Sequence, residues 1–184
     1  MTLTLTSLQY NVSQLLKSEV GSTRAYDFEA DGPLDLDDGV AHDIRGHVRF
    51  MLTNFGIVAV VQARAVLDLN CARCVEPFEL PVDISFDDEY QPLIDIATGL
   101  PSDTPRSDAA FSISQNHTID LGEAIRQHLL LSVELIPLCS GDCKGLCPTC
   151  GVNLNQQACT CPPAEEPSPF AVLQGLFGGS ESDH

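Results

Sequence analysis

Tryptophan is absent, aromatic residues make up only 6% of the chain, and Lys and Arg together number 9 against 26 Asp and Glu. The shortage of cations bears directly on function. At a net charge of −17 the surface repels phosphate backbones, so direct contact with RNA or DNA is not expected to dominate binding. The acids are concentrated. Seven fall between Asp27 and Asp43 with no Lys or Arg among them, and nine between Glu76 and Asp108 against Arg106 alone. Such a surface attracts basic protein partners, although net charge also serves plain solubility. No run of eighteen apolar residues occurs, so no membrane span is expected. The opening MTLTLTSLQYNVSQLLKSEV lacks a basic segment followed by an apolar one, which points to a cytoplasmic protein with reduced thiols. HExxH, GxSxG and P-loop patterns are missing too. None of His42, His47, His117, His128 and His184 has paired ligand spacing. No catalytic residue is expected.

What is present fits one domain with appendages: 184 residues, 43% of them hydrophobic. HVRFMLT places Val48, Phe50 and Leu52 on one face, and NFG at Asn54–Gly56 reads as a turn. IVAVVQARAVLDL then puts Ile57, Ala59, Val61, Ala63, Ala65, Leu67 and Leu69 on one face. PFELPVDISF points Phe78, Leu80, Val82, Ile84 and Phe86 inward, with Pro81 marking a sheet edge. Residues 91–118 read as a long connection. After them LGEAIRQHLLLSVELI predicts a helix with the stripe Leu121, Ala124, Ile125, Leu129 and Ser132, broadening over Val133–Ile136. Its start carries Asp120 as N-cap with Glu123 completing a capping box, and Pro137 ends it. The expected class is α+β: an antiparallel β-meander with one late helix packed on it, then a cysteine-rich zinc-binding segment and an extended tail. The expected division is a core over 1–138, a zinc segment over 139–161 and a Pro/Gly-rich tail over 162–184. The tail contains an apolar island, Phe170–Phe177, that docks either on its own domain or on a partner.

The eight cysteines dominate the chemistry. Cys71, Cys74, Cys139, Cys143, Cys147, Cys150, Cys159 and Cys161 form C-x2-C, C-x3-C, C-x2-C and C-x-C pairs. Four thiolates close a tetrahedral zinc site, so eight predict two structural Zn2+ ions. A redox C-x2-C pair would need a strand-to-helix junction, which neither CARC nor CPTC has. An iron–sulfur cluster also uses four thiolates, and spacing leaves it open. Short loop closure favours Cys147, Cys150, Cys159 and Cys161 as one site and Cys71, Cys74, Cys139 and Cys143 as the other. The alternative couples the two C-x2-C pairs. In the favoured pairing, CARC is the tip of a hairpin clamped to the chain after the helix.

CARCVEPFE, IDLGEAIRQHLLLSVELIPLC, CKGLCPTCGVNLN with CTC, and SPFAVLQGL occur in an order that resembles the YceD family of large ribosomal RNA subunit accumulation proteins. The resemblance spans most of residues 45–177. It implies a role in accumulation of large-subunit (23S) ribosomal RNA and in large-subunit assembly, and it brings no catalytic residues. Some family members lack most of the cysteines, which implies that metal is a structural staple here. The charge then favours large-subunit ribosomal proteins or a pre-ribosomal particle as partner. Arg45, Arg49 and Arg64 are the candidate RNA contacts, too few for a strong grip. A zinc-ribbon-type RNA-processing or redox enzyme is the alternative reading.

Overall fold

Alternating apolar residues build three long antiparallel strands that carry the molecule: β4 (Val40–Leu52), β5 (Ile57–Asn70) and β6 (Pro77–Pro92). The computed structural model describes residues 8–37, 39–95, 98–101 and 111–162. The Thr/Leu alternation of residues 2–6, part of the 91–118 connection and the island Phe170–Phe177 lie outside the described residues. Before the long strands come β1 (Gln9–Asn11), the single-turn α1 (Ser13–Leu16), β2 (Thr23–Glu29) and β3 (Leu34–Asp35). After them come β7 (Phe111–Ile113), β8 (Thr118–Asp120) and the helix α2 (Gly122–Ser132). The main sheet runs β2-β4-β5-β6-β7, with β3 also on β4, and β1 pairs with β8 in a separate ribbon. The fold is α+β, a largely antiparallel sheet with one late helix.

All seven inward residues of β5, from Ile57 to Leu69, are buried, as are Val48, Phe50 and Leu52 of β4 and Ile84 and Phe86 of β6. The turn between β4 and β5 is fixed by Thr53, whose backbone N–H donates to the Gly56 carbonyl while its hydroxyl accepts from Phe55 and Gly56 N–H. Pro81 faces Val66 of β5, and on its other edge β6 pairs with none of the described residues before Tyr90 meets Phe111, so the proline lies in a stretch with one open edge, where it is tolerated. On the inner face α2 buries Ala124, Ile125 and Leu129 against β6, with Leu121 buried just before them. Leu8, Val12 and Leu15 from the β1–α1 stretch close the same core.

Three expectations need correction. The 91–118 connection holds β7, which pairs parallel to β6, and the start of β8. Only three residues long, β7 carries too little alternation to announce itself. The capping box does not form. The Asp120 carboxylate accepts from Gly122 N–H at 2.8 Å, but Glu123 turns outward to Arg126 and Gln127. The helix also stops at Ser132, well before Pro137, with Val133 extended and Ser132, Leu135 and Ile136 exposed. The Ser132 hydroxyl bonds back to the Leu129 carbonyl, and the residue before a proline avoids helical geometry, so this turn has two reasons to unwind.

Candidate metal centre

CARC occupies the turn between β5 and β6. Cys71 N–H donates to the Glu76 carbonyl and Val75 N–H to the Cys71 carbonyl, closing a tight knuckle. The bend drives Val75 to φ 62°, a left-handed conformation costly for a β-branched residue. The chain that follows α2 returns to this tip. Ala72 N–H donates to the Pro137 carbonyl, Leu146 N–H to the Arg73 carbonyl, and the Arg73 guanidinium to the Cys143 carbonyl at 3.0 Å. Gly145, at φ 74°, permits this approach, since a Cβ there would lie 3.1 Å from the Arg73 carbonyl oxygen. In the second knuckle Cys147 N–H bonds the Val152 carbonyl, and Gly151 takes the left-handed turn at φ 72°.

The eight sulfurs gather into two tetrads, Cys71, Cys74, Cys139 and Cys143 in one and Cys147, Cys150, Cys159 and Cys161 in the other, each set within 4.8 Å. This partition is the one with the shorter loops. Sulfur separations are 3.7 Å for Cys71–Cys143 and for Cys74–Cys139, 3.5 Å for Cys150–Cys159 and 3.4 Å for Cys147–Cys159. A tetrahedron with zinc–sulfur bonds of about 2.3 Å has edges of about 3.8 Å. A disulfide needs about 2.05 Å. In a four-iron cluster each thiolate binds a different iron and the sulfurs stand further apart than this. The donor set therefore fits a single tetrahedral ion in each tetrad, with zinc the common occupant of four thiolates.

The electrostatics agree. The backbone N–H of Cys139 leads the groups that lower the Cys71 thiol to about 6, while burial and the neighbouring sulfurs push Cys139 up to about 12. In the second tetrad the N–H groups of Cys150 and Thr149 lower Cys147 to about 6, and the sulfurs of Cys159 and Cys150, with burial, push Cys161 up to about 12. Four crowded thiolates repel one another, and a divalent cation at their centre relieves that repulsion.

Sequence reasoning missed the supporting residues. The Asn155 side-chain amide donates to the Cys143 sulfur at 3.3 Å, and this bond leads the groups that lower that thiol. Its carbonyl oxygen accepts from Lys144 N–H. Glu76 receives the amides of Asn153 and Gln156, tying the tip to the second knuckle. The signal was the run VNLNQQ, whose amides suit turns and outer-sphere bonds. Away from the tetrads, His42, Asp68 and Glu79 also come within 4.8 Å on the outer sheet face, where His42 is bonded to Asp68 and Asp43. His128 is a packing residue, stacked on Phe86 with ring centroids 3.8 Å apart and bonded to Asp88 at 3.1 Å. Arg45 and Arg64 face each other across β4 and β5, with Arg49 further along β4.

The pattern of the YceD family, described as large ribosomal RNA subunit accumulation protein, matches residues 59–177. The chain is 28% identical over 137 residues to the YCED homolog 1, chloroplastic, of Zea mays, covering 62% of this chain and 46% of that one. It is 28% identical over 113 residues to the protein YceD of Haemophilus influenzae, covering 60% and 59%. An uncharacterised protein of Mycobacterium tuberculosis is 30% identical over 119 residues, covering 65% and 54%. The chain spans about half the length of these curated relatives. No solved structure matches it. With a family pattern that runs through the β5–β6 hairpin, α2 and both tetrads, this chain belongs to the YceD family.

Proposed function

We propose that this chain is a non-enzymatic cytoplasmic factor supporting accumulation of large-subunit (23S) ribosomal RNA and large-subunit assembly. It acts through contact with basic large-subunit ribosomal proteins or a pre-ribosomal particle. Family membership carries the reading. Charge placement supports the mode of contact. Glu79, Asp83 and Asp87 stand exposed along the outer face of β6. Of the facing arginines, Arg64 is engaged by Asp83 at 2.9 Å. A phosphate backbone needs a cluster of cations, whereas a basic protein extension suits a face on which Glu79 and Asp87 flank that one ion pair. Among the described residues no helix is long and apolar enough to cross a membrane.

In the same proposal the eight cysteines bind two zinc ions, and both are structural. Four thiolates fill a tetrahedron, whereas a catalytic zinc keeps one position open for water or substrate. The zinc ions would fix the hairpin tip and the returning chain; no chemical step passes through them.

Affinity capture from cells, with and without ribonuclease, tests the reading. Basic large-subunit proteins should be retained after ribonuclease and lost when Glu79, Asp83 and Asp87 are each changed to Lys. Capture abolished by ribonuclease refutes the protein-contact mode. Absence of any large-subunit component refutes the function.

A further inference from the structure

We propose that the apolar segment Phe170–Phe177 of this same chain docks into a groove between the distal half of β6 and the stretch that follows α2. Helix α2, at about 1.5 Å per residue, is only about a third as long as β6, the strand it packs on, which rises about 3.3 Å per residue. Beyond the helix, Phe78, Leu80 and Val82 face inward but stay half-buried. They form one wall of a pocket of 430 Å³ whose other wall includes Pro137 and Leu138, with Glu134 as its one charged side chain. In the same stretch of chain as Ser132, Glu134, Pro137 and Leu138 of its lining, Leu131, Leu135 and Ile136 are 79%, 102% and 62% exposed. Ten large apolar side chains are exposed among the described residues, and three of them fall in this six-residue stretch. Exposed apolar side chains concentrated along one wall of a hollow that Phe78, Leu80, Val82, Pro137 and Leu138 line mark a docking site.

The chain itself supplies the occupant. The family pattern runs through residue 177, so the segment belongs to the same sequence unit as the hairpin and the tetrads. Phe170, Leu173 and Phe177 stand at i, i+3 and i+7, which gives one apolar face. Reach is sufficient. The pocket includes Leu138 and Gly141, which flank Cys139 of the first tetrad. The second tetrad is joined to the same tip through Leu146 and Arg73, and its last cysteine is Cys161. From Pro162 to Phe170 an extended chain spans roughly 25–30 Å at about 3.3–3.6 Å per residue. A tether this short holds the segment at millimolar effective concentration, so a modest apolar contact is enough.

The test replaces Leu173 by the photoreactive residue p-benzoylphenylalanine in the full zinc-loaded chain, with irradiation and peptide mapping. The expected product is a cross-link within one monomer to residues 78–82 or 131–138. Leu135→Asp, a change at a solvent-exposed position, should cut its yield at least fivefold. Amide exchange over 131–138 should be slower in the parent chain than in a Phe170→Asp, Phe177→Asp double variant. Cross-links between two chains or to other parts of the fold overturn the proposal, as does a yield unaffected by Leu135→Asp. So does exchange over 131–138 equal in parent and double variant.

Discussion

Replacing Leu129 by Ala tests the inner face of the sheet where its support is thinnest. Leu129 has no solvent exposure, and with Ala124 and Ile125 it is one of three buried residues on an eleven-residue helix. A helix that short has little stability alone, so α2 persists because it packs on β6. Truncating a buried Leu to Ala costs about 2–5 kcal/mol, depending on how far the site collapses. Here the helix ends three residues later, at Ser132, and that free end lets the site relax. The lower half of the range is expected, about 2–3 kcal/mol, and the better helix propensity of Ala returns only a few tenths. In a chain of this size each kcal/mol moves Tm by about 2–4 °C, giving a fall of about 4–12 °C. Gln127→Ala on the exposed side of the same helix should move Tm by no more than about 2 °C. Both are read by circular dichroism melting with zinc and reductant present and metal content checked. A Leu129→Ala shift under about 2 °C, or one equal to that of Gln127→Ala, refutes the packing argument.

Protein purified under reducing conditions should carry two zinc ions per chain by elemental analysis; less than one refutes the metal assignment. Chelation should raise amide exchange most over residues 139–161, which have few apolar side chains to hold them without ligands. Cys74→Ser should lower Tm more than Cys150→Ser, because the Cys74–Cys139 link spans 65 residues and the Cys150–Cys159 link 9, and longer loops gain more freedom when released. Equal shifts would show that the first tetrad does not clamp the hairpin tip. Glu123, bonded first by Arg126 and then by Gln127, is held below its ordinary value. Its contribution is present above the unfolded carboxylate pKa and is lost as pH falls through the lowered folded value. Glu123→Gln should therefore reduce Tm at pH 6 and lose that difference by pH 3; a constant difference refutes the linkage.

The long strands were legible because period-two alternation persists over many residues: Ile57 to Leu69 allow one burial assignment and no other. The tip was legible for a different reason, since C-x2-C between two strands has few shapes available. Short elements were not. The ribbon of Gln9–Asn11 with Thr118–Asp120 joins segments more than a hundred residues apart, and nothing within either triplet names the other. The parallel seat of Phe111–Ile113 against Tyr90–Pro92 depends on where the connection returns. The helix end was misread because Val133, Leu135 and Ile136 continue an apolar pattern after the backbone has left the helix. Asn155 could be placed in a turn, but its bond to the Cys143 sulfur is a tertiary fact.

The placement of the tetrads follows from the length of the β5–β6 hairpin. The β5–β6 hairpin extends far past the helix that covers it, and on that overhang Phe78, Leu80 and Val82 are only half-buried. Apolar burial alone cannot anchor a long hairpin tip whose cover has run out. The chain instead returns to the tip from the far side of α2, accepting hydrogen bonds from Ala72 and Arg73, donating to the Arg73 carbonyl from Leu146 and to the Glu76 carboxylate from Asn153 and Gln156, and bringing the eight sulfurs together. With the metal proposed above, several kcal/mol of metal–thiolate affinity at such a point would count as folding free energy, because the ligands come together only in the native state. The knuckle can then tolerate Val75 in a left-handed conformation, since the closing sulfurs over-determine it. The acidic row on the outer face of β6 lies on the same overhanging strand. On the proposed function, metal held by the tetrads would also stiffen the surface to which a basic partner is proposed to bind, and would so have an indirect role in recognition.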